Sequence, residues 1–467
     1  MNSSMRHVAV GIRGPGVVVC LTATLLVLAA LAWGLPARAA QTLAVTSTVD
    51  DLNLANYACP ATTLPCTLRK AIHTANNETV PGDTISVPAG TYTLTTHHEL
   101  HISTAMNIVG ADPRTTIIDG DNGGNRIFSI FPPDNANHID VGISNLTLQN
   151  AFSKNGSSEG GAMFNGSTGT VTLDNDAIVS NRVQVVGPSF GGGIYSGDAT
   201  GGNTHLKITR SLIADNTAMQ GTGTETSPGP SEGGGIYNGF GNGFGDVLSI
   251  TNSTMTANSA RGGGAIFNAG TATLVNDTIA GNFGGVDANK NPLGGGLADE
   301  GPGSYTLTNT IVSGNTHGDC HKWSGGIFTS GGHNIDGDGT CFLTDPTDKP
   351  STDPHLATLA LNAPGQTKTM AIGATSAAYN AAGAAACPAT DQRGVSRPQG
   401  SACDIGAYEL VVLAASPSTP ALPKAGSAGS PGAGSQVGLL LGVAALLLAP
   451  LAVALARRRH PDDNPVA

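Results

Sequence analysis

Five small groups in this chain have residue types and spacings that could do chemistry. His97-His98-Glu99-Leu100-His101 puts His97, Glu99 and His101 on one face of a strand. Three such side chains can hold Zn²⁺; the plainer reading is an exposed strand face ahead of Met106-Asn107-Ile108-Val109-Gly110. Asp119-Gly120-Asp121 and Asp336-Gly337-Asp338 offer oxygens to Ca²⁺, yet Asp-Gly is also ordinary turn chemistry. The further acidic ligands of an EF-hand loop are missing, and so are tandem Ca²⁺-binding nonapeptides. Calcium is the one cofactor left open. His317 and His321 flank Cys320, but Cys341 downstream favours a disulfide over a metal site. Asp174, Asp176 and Asp215 are acids beside strand ends, where solvated turns are the default.

The elements that must position these groups form a tandem array. Glycine clusters with an apolar pair recur at Gly160-Gly161-Ala162-Met163-Phe164, Gly191-Gly192-Gly193-Ile194-Tyr195, Gly233-Gly234-Gly235-Ile236-Tyr237, Gly263-Gly264-Ala265-Ile266-Phe267 and Gly294-Gly295-Gly296-Leu297-Ala298. Each unit closes on a short apolar segment ending in Asn, at Asn181, Asn216, Asn258, Asn282 and Asn315, and an earlier unit without the glycines closes at Asn150. The aromatic positions 164, 195, 237 and 267 are 31, 42 and 30 residues apart. Thr170-Val171-Thr172-Leu173 and Tyr305-Thr306-Leu307-Thr308 alternate at period two, which is strand chemistry. No unit has a helical apolar stripe, so the array predicts an all-β parallel β-helix, one coil per unit, in preference to a β-propeller. One Asn per coil at positions 150, 181, 216, 258, 282 and 315 predicts an amide ladder, and the aromatics are expected to stack inside the coil. Some eight to eleven coils are expected.

Charged residues are 12% of 467 and the net charge is −11, a balance that repels phosphate backbones and excludes nucleic acid as a partner. Arg6 and Arg13, the apolar run Val17 to Ala32 and Ala37-Arg38-Ala39 read as a cleaved secretion signal. Of seven cysteines, Cys20 leaves with it; Cys59, Cys66, Cys320, Cys341, Cys387 and Cys403 remain, and an even count in an exported chain favours disulfides, with sequence-local pairing one of 15 connectivities. Leu68, Ile72 and Ala75 share one face of a short amphipathic helix placed to cap the open first coil. After Glu409 an Ala/Ser/Pro/Gly spacer leads to the apolar run Val437 to Ala456, long enough to span a bilayer, and then to Arg457-Arg458-Arg459, which puts the tail inside and the β-helix outside. The chain thus divides into a signal peptide (1–39), a cap region (40–95), the repeat array (96–318), a closing region (319–412), a linker (413–436), a transmembrane helix (437–456) and a cytoplasmic tail (457–467).

Cys66-Thr67-Leu68-Arg69-Lys70-Ala71-Ile72 resembles the C-S-L-R-E-A-I signature of bacterial CSLREA-domain proteins, with Thr for Ser and Lys for Glu. Asp391-Gln392-Arg393-Gly394 through Cys403-Asp404-Ile405-Gly406-Ala407-Tyr408-Glu409 is similar to the closing motif of choice-of-anchor Q proteins, as is Gly332-His333-Asn334-Ile335-Asp336-Gly337-Asp338-Gly339-Thr340-Cys341. The repeats resemble more loosely those of polymorphic outer-membrane proteins. These resemblances imply a right-handed parallel β-helix outside the cytoplasm, with no defined activity and no catalytic residues. Leu422-Pro423-Lys424-Ala425-Gly426 resembles the sortase motif LPxTG with Ala425 in place of Thr, so Leu422, Pro423 and Gly426 are candidates for wall sorting beside a plain membrane anchor.

Many β-helices cleave acidic polysaccharides. The Gly-His-Gly and Arg-Ile-Lys motifs of polygalacturonase-like hydrolases are absent, and Lys154, Arg182, Lys207, Arg210 and Arg261 share no register. Trp323 is the one tryptophan left for stacking on a sugar once the signal is gone. The sequence therefore predicts a surface module, adhesive and non-enzymatic, with an extracellular glycan or a surface protein as partner. Polysaccharide binding or degradation is the alternative.

Overall fold

The computed structural model describes residues 39–412 except 54–58, 60–64, 79–80, 133–137, 155–157, 198–202, 221–229, 240–244 and 324. The segment expected to be a signal peptide, apart from residue 39, and the expected linker, the apolar run, the basic tail and Leu422, Pro423 and Gly426 lie outside the described residues. Among those described, no helix is long and apolar enough to cross a membrane.

The alternating segments form three long parallel sheets. The first has ten strands, from Thr42–Ala44 to Ile327–Ser330. The second has ten, from Gly90–Thr93 to Lys349–Pro350, and the third eight, from Leu100–Ile102 to Cys320–His321. Each turn of chain visits all three, as in Thr170–Asp174, Ala177–Val179 and Ile194–Ser196, and each strand pairs in parallel with its counterpart in the next turn. This is a parallel β-helix. The solenoid is longer than the repeats legible in sequence. It starts at Thr42, inside the expected cap region, and runs to Pro350, inside the expected closing region.

Period-two alternation sends Val171 and Leu173, Leu206 and Ile208, and Leu248 and Ile250 into one continuous core, all 1% exposed or less. Burying each such side chain is worth about 1.5–3 kcal/mol. Between first and second sheets the chain turns through a left-handed residue. Asn fills that corner at 145, 175, 252, 276 and 309, with φ of 61°, 58°, 53°, 55° and 52°, a conformation Asn tolerates better than other side chains. Gly191, at φ +66°, enters the turn ahead of the third sheet, where a Cβ would stand 2.3 Å from the Ile194 carbonyl oxygen.

Helix α1 (Leu68–Asn76) closes the first coil, capped by the Thr67 side chain on the Lys70 amide. Leu68, Ala71, Ile72 and Ala75 join the core, and Cys59–Cys66 pins the entry. Arg69 donates to Asp50 at 2.7 Å and to the carbonyls of His98 and Glu99 at 2.7 and 2.8 Å, which ties the cap to the first turn.

Beyond Pro350 the chain folds back along the second sheet as a strap. Gln366 reaches Asp112 and Asn175, Thr390 and Gln392 meet Asn252 and Thr254, and Gly383 and Gly406 meet Asn309. Ile372, Ala378, Ala382, Cys403 and Ile405 pack on Ile311 and Ile335.

Candidate functional site

The inner corners carry polar ladders. Asn181 Nδ2 donates to Asn216 Oδ1 at 3.0 Å, Asn216 to Asn258 at 2.9 Å, Asn258 to Asn282 at 3.0 Å, Asn282 to Asn315 at 2.9 Å, and Asn315 to Asp319 Oδ1 at 2.9 Å. Asn150 is not a rung, contrary to the spacing. The register pairs Thr147–Gln149 with Ala177–Val179, so Ala151 is the equivalent of Asn181, and its amide donates to Asn181 Oδ1. Asn150 sits one residue earlier, left-handed at φ 54°, and donates to Asp119.

A second ladder has mixed rungs. Asp176, Ser211, Ser253, Asp277, Thr310 and Asn334 each accept, on a side-chain oxygen, the amide of the preceding coil's rung, the first donor being Leu146. Sequence reading missed it because rung identity changes from coil to coil; the shared signal is a small polar residue just after the corner. Burial pushes the Asp176 and Asp277 carboxyls well above the ordinary range.

The candidate metal groups part company. His97 faces Asp121 at 3.3 Å and Glu99 lies 3.4 Å from Arg126, both ahead of the strand Leu100–Ile102 that carries His101, and His97, Glu99 and His101 do not bring their ligand atoms together. Asp119 is engaged by Gln149 and Asn150. Asp336 and Asp338 meet Asp319, each offering an oxygen within 4.8 Å of the others, the one such group among the described residues. Asp319 was not singled out in sequence, because it enters from a neighbouring turn. Burial lifts its carboxyl to about 6 and raises that of Asp336. Cys320 is bonded to Cys341, which removes it from any metal site flanked by His317 and His321, and Cys387 is bonded to Cys403. Asp215 is an exposed corner residue. Asp174 is held by Arg210, so Asp174 and Asp176 do not form an acid–base pair: one is ion-paired outside and the other is a rung inside.

The aromatic rank lies on the opposite side of its sheet from that expected. In each three-residue strand the flanking residues point inward, Met163 and Asn165 for example, and the middle one outward. Phe164, Tyr195, Tyr237 and Phe267 stack face to face outside the third sheet, centroids 5.6, 5.2 and 5.4 Å apart. Phe190 covers them, tilted on Tyr237 at 4.9 Å. Glu159, Phe190, Glu232 and Gly262 form one rank across successive coils above this cluster. Burial lifts Glu232 to about 7, helped by Glu300 and opposed by Arg261, and raises Glu159. Arg182 stacks on Phe152 at 3.8 Å and Lys154 lies 4.9 Å from the same ring. Trp323 stands half-exposed, edge-on to His321.

Two of the three outer faces are therefore occupied. The strap lies on the second sheet, over a cleft of about 350 Å³ whose lining mixes apolar residues such as Val179, Leu212 and Leu359 with polar ones such as Gln149, Asp215 and Lys368. The aromatic cluster fills the third. Among the described residues, the first sheet's outer face carries no such cover. One of its ranks reads Thr84, Asn107, Gly142, Thr172, Lys207, Ser249, Thr273, Thr306, Thr329. A groove of about 810 Å³ runs over its early strands, lined by Thr84, Asn107, Asp140, Ser144, Thr170, Thr172 and Asp174 among others. At Gly142 the Asn107 side chain lies over the missing side chain, its Oδ1 2.4 Å from where a Cβ would stand.

No family model matches this chain and no curated protein matches it. Two solved structures do. One is pectate lyase Pel9A, 15% identical, with a TM-score of 0.36 over 80% of this chain and 97% of that one. The other is ORF18 of Geobacillus virus E2, 16% identical, with a TM-score of 0.28 over 60% of this chain and 54% of that one.

Proposed function

We propose that this is an exported, tethered surface β-helix that binds an extended partner along the open face of its first sheet without altering it chemically, a polysaccharide being the class the face suits. A right-handed path follows from the general hand of parallel crossovers. Export and tethering rest on the charged, apolar and Ala-x-Ala segments of residues 1–39 and on the apolar run 437–456 with its basic tail. The resemblance to CSLREA-domain and choice-of-anchor Q proteins is part of this reading, with wall sorting through Leu422, Pro423 and Gly426 beside a plain membrane anchor.

The supporting observation is the groove itself. Its hydroxyl and amide groups repeat at the strand spacing, about 4.8 Å, and its acids are engaged: Asp174 by Arg210 and Thr209, Asp140 by the Thr170 amide. Such a lining donates and accepts hydrogen bonds along a chain of hydroxyls but lacks a free acid–base pair. Titrating the full-length protein with neutral and uronate-bearing polysaccharides is expected to show binding with no new reducing or unsaturated ends. Binding should be lost in Gly142→Val, which forces the Asn107 side chain up into the groove.

One observation favours a second reading, polysaccharide hydrolysis. Glu159 and Glu232 stand two coils apart in one rank with Phe190 between them. That is about 9.6 Å at the strand spacing, near the range used by inverting glycosidases. New reducing ends that vanish in Glu232→Gln would replace the binding reading with this one.

A further inference from the structure

Resting on that reading, we propose that the groove of the first sheet selects a carboxylate-bearing polysaccharide, a polyuronate, by seating sugar rings over Thr170 and Thr172 and pairing their carboxylates with the adjacent strand His205–Thr209 at its rim.

That strand differs from its neighbours. Outward positions on the first sheet are mostly Thr, Ser and Asn, but His205, Lys207 and, at the corner, Arg210 put three basic side chains on one strand. Arg210 is consumed by Asp174. Lys207 is exposed and makes no hydrogen bond or ion pair in the described structure, and His205 is exposed beside it. In register they follow Thr172 and Thr170, which line the groove. Lys207 is two strands from Gly142, about 9.6 Å at the strand spacing, and its side chain shortens that gap. On the far side the same ranks return to Val247 and Ser249, so the positive charge is confined to one edge of the trough. A neutral polysaccharide would leave that charge unused. A nucleic acid would meet it with too little else, because the chain carries −11 overall. A polyuronate presents one carboxylate per sugar on a backbone of hydroxyls; the floor offers Thr and Ser hydroxyls, Asp174 is neutralised by Arg210, and the remaining acid, Asp140, lies on the side of Thr170 away from His205, so the ligand's carboxylates are directed to the one cationic edge.

The test compares binding of oligogalacturonate and of its fully methyl-esterified form to the full-length protein by calorimetry. The wild type should prefer the acid by about fivefold, the scale of one exposed ion pair. That preference should fade in ~1 M salt, where the Debye length is about 3 Å. Lys207→Gln should bind both forms alike at the affinity of the ester, with unchanged melting temperature because Lys207 holds no structural contact. Equal wild-type binding of the two forms, both lost in Gly142→Val, would overturn the selectivity and leave the binding face standing. An acid preference that survives Lys207→Gln would move the recognition elsewhere and overturn the inference. Binding of neither form would overturn it as well; continued binding of neutral glycans by the same protein would then keep the proposed function, and silence to every glycan would end both.

Discussion

A single amide decides the stability of an inner corner. Asn258 donates to Asn282, accepts from the side chain and backbone of Asn216, and is fully buried. Asn258→Ala strands those partners and should cost about 3 kcal/mol, seen as a lower denaturant midpoint, whereas Asn150→Ala, at a half-buried corner, should cost well under half as much. Buried acids act in the opposite sense. Asp299, Asp319 and Asp404 have folded values of about 6 against an ordinary 3.8. The folded chain therefore holds these protons more tightly than the unfolded one, and their contribution to stability is present below about 4 and lost as pH rises through 6. Melting temperature should be higher at pH 5 than at pH 8, and Asp319→Asn should flatten that slope. Below pH 4 the trend reverses as Asp50 and Asp112, held below the usual range, are protonated. Five of the six ladder asparagines were readable because the repeat marks them. Asn150 was misread by one residue because its unit lacks the glycines that fix the register. Asp319 and Asp176 were unreadable as a group member and a rung, since burial and cross-coil approach leave no trace in local spacing.

At the scale of elements, the sequence predicted strands, turns and α1 from periodicity and turn residues. The side on which the aromatics stack was not legible, because a three-residue strand offers two inward positions and one outward, and either assignment satisfies alternation. Nor was the strap. Residues 352–412 contain few strand-like runs, and their contacts lie as far as 254 residues away, as with Gln366 and Asp112. The strap is internally held by Arg393–Asp391 and Arg397–Glu409, both ion pairs almost wholly buried, and by Cys387–Cys403. A bridge closing a loop of this size is worth about 3 kcal/mol. Cys387→Ser with Cys403→Ser should loosen the strap first, so limited proteolysis is expected to cut within 352–412 while the coils from Thr42 to Pro350 stay intact.

At the scale of the solenoid, the described residues stack ten first-sheet strands, about 43 Å from first to last at the strand spacing. A stack of this kind could come apart one coil at a time, since each turn touches mainly its neighbours. The route by which the chain leaves the solenoid changes that. Residues 390–407 are bonded to Asn252 and Thr254, to Asn276 and Thr278, and to Asn309, on three consecutive coils. A pull applied at residue 412 is thus delivered sideways to several turns together, not to the edge of the last one. Those hydrogen bonds, joined within the strap by its buried ion pairs and its disulfide, share the load across coils, so the strap acts as a mechanical clamp as well as a cover.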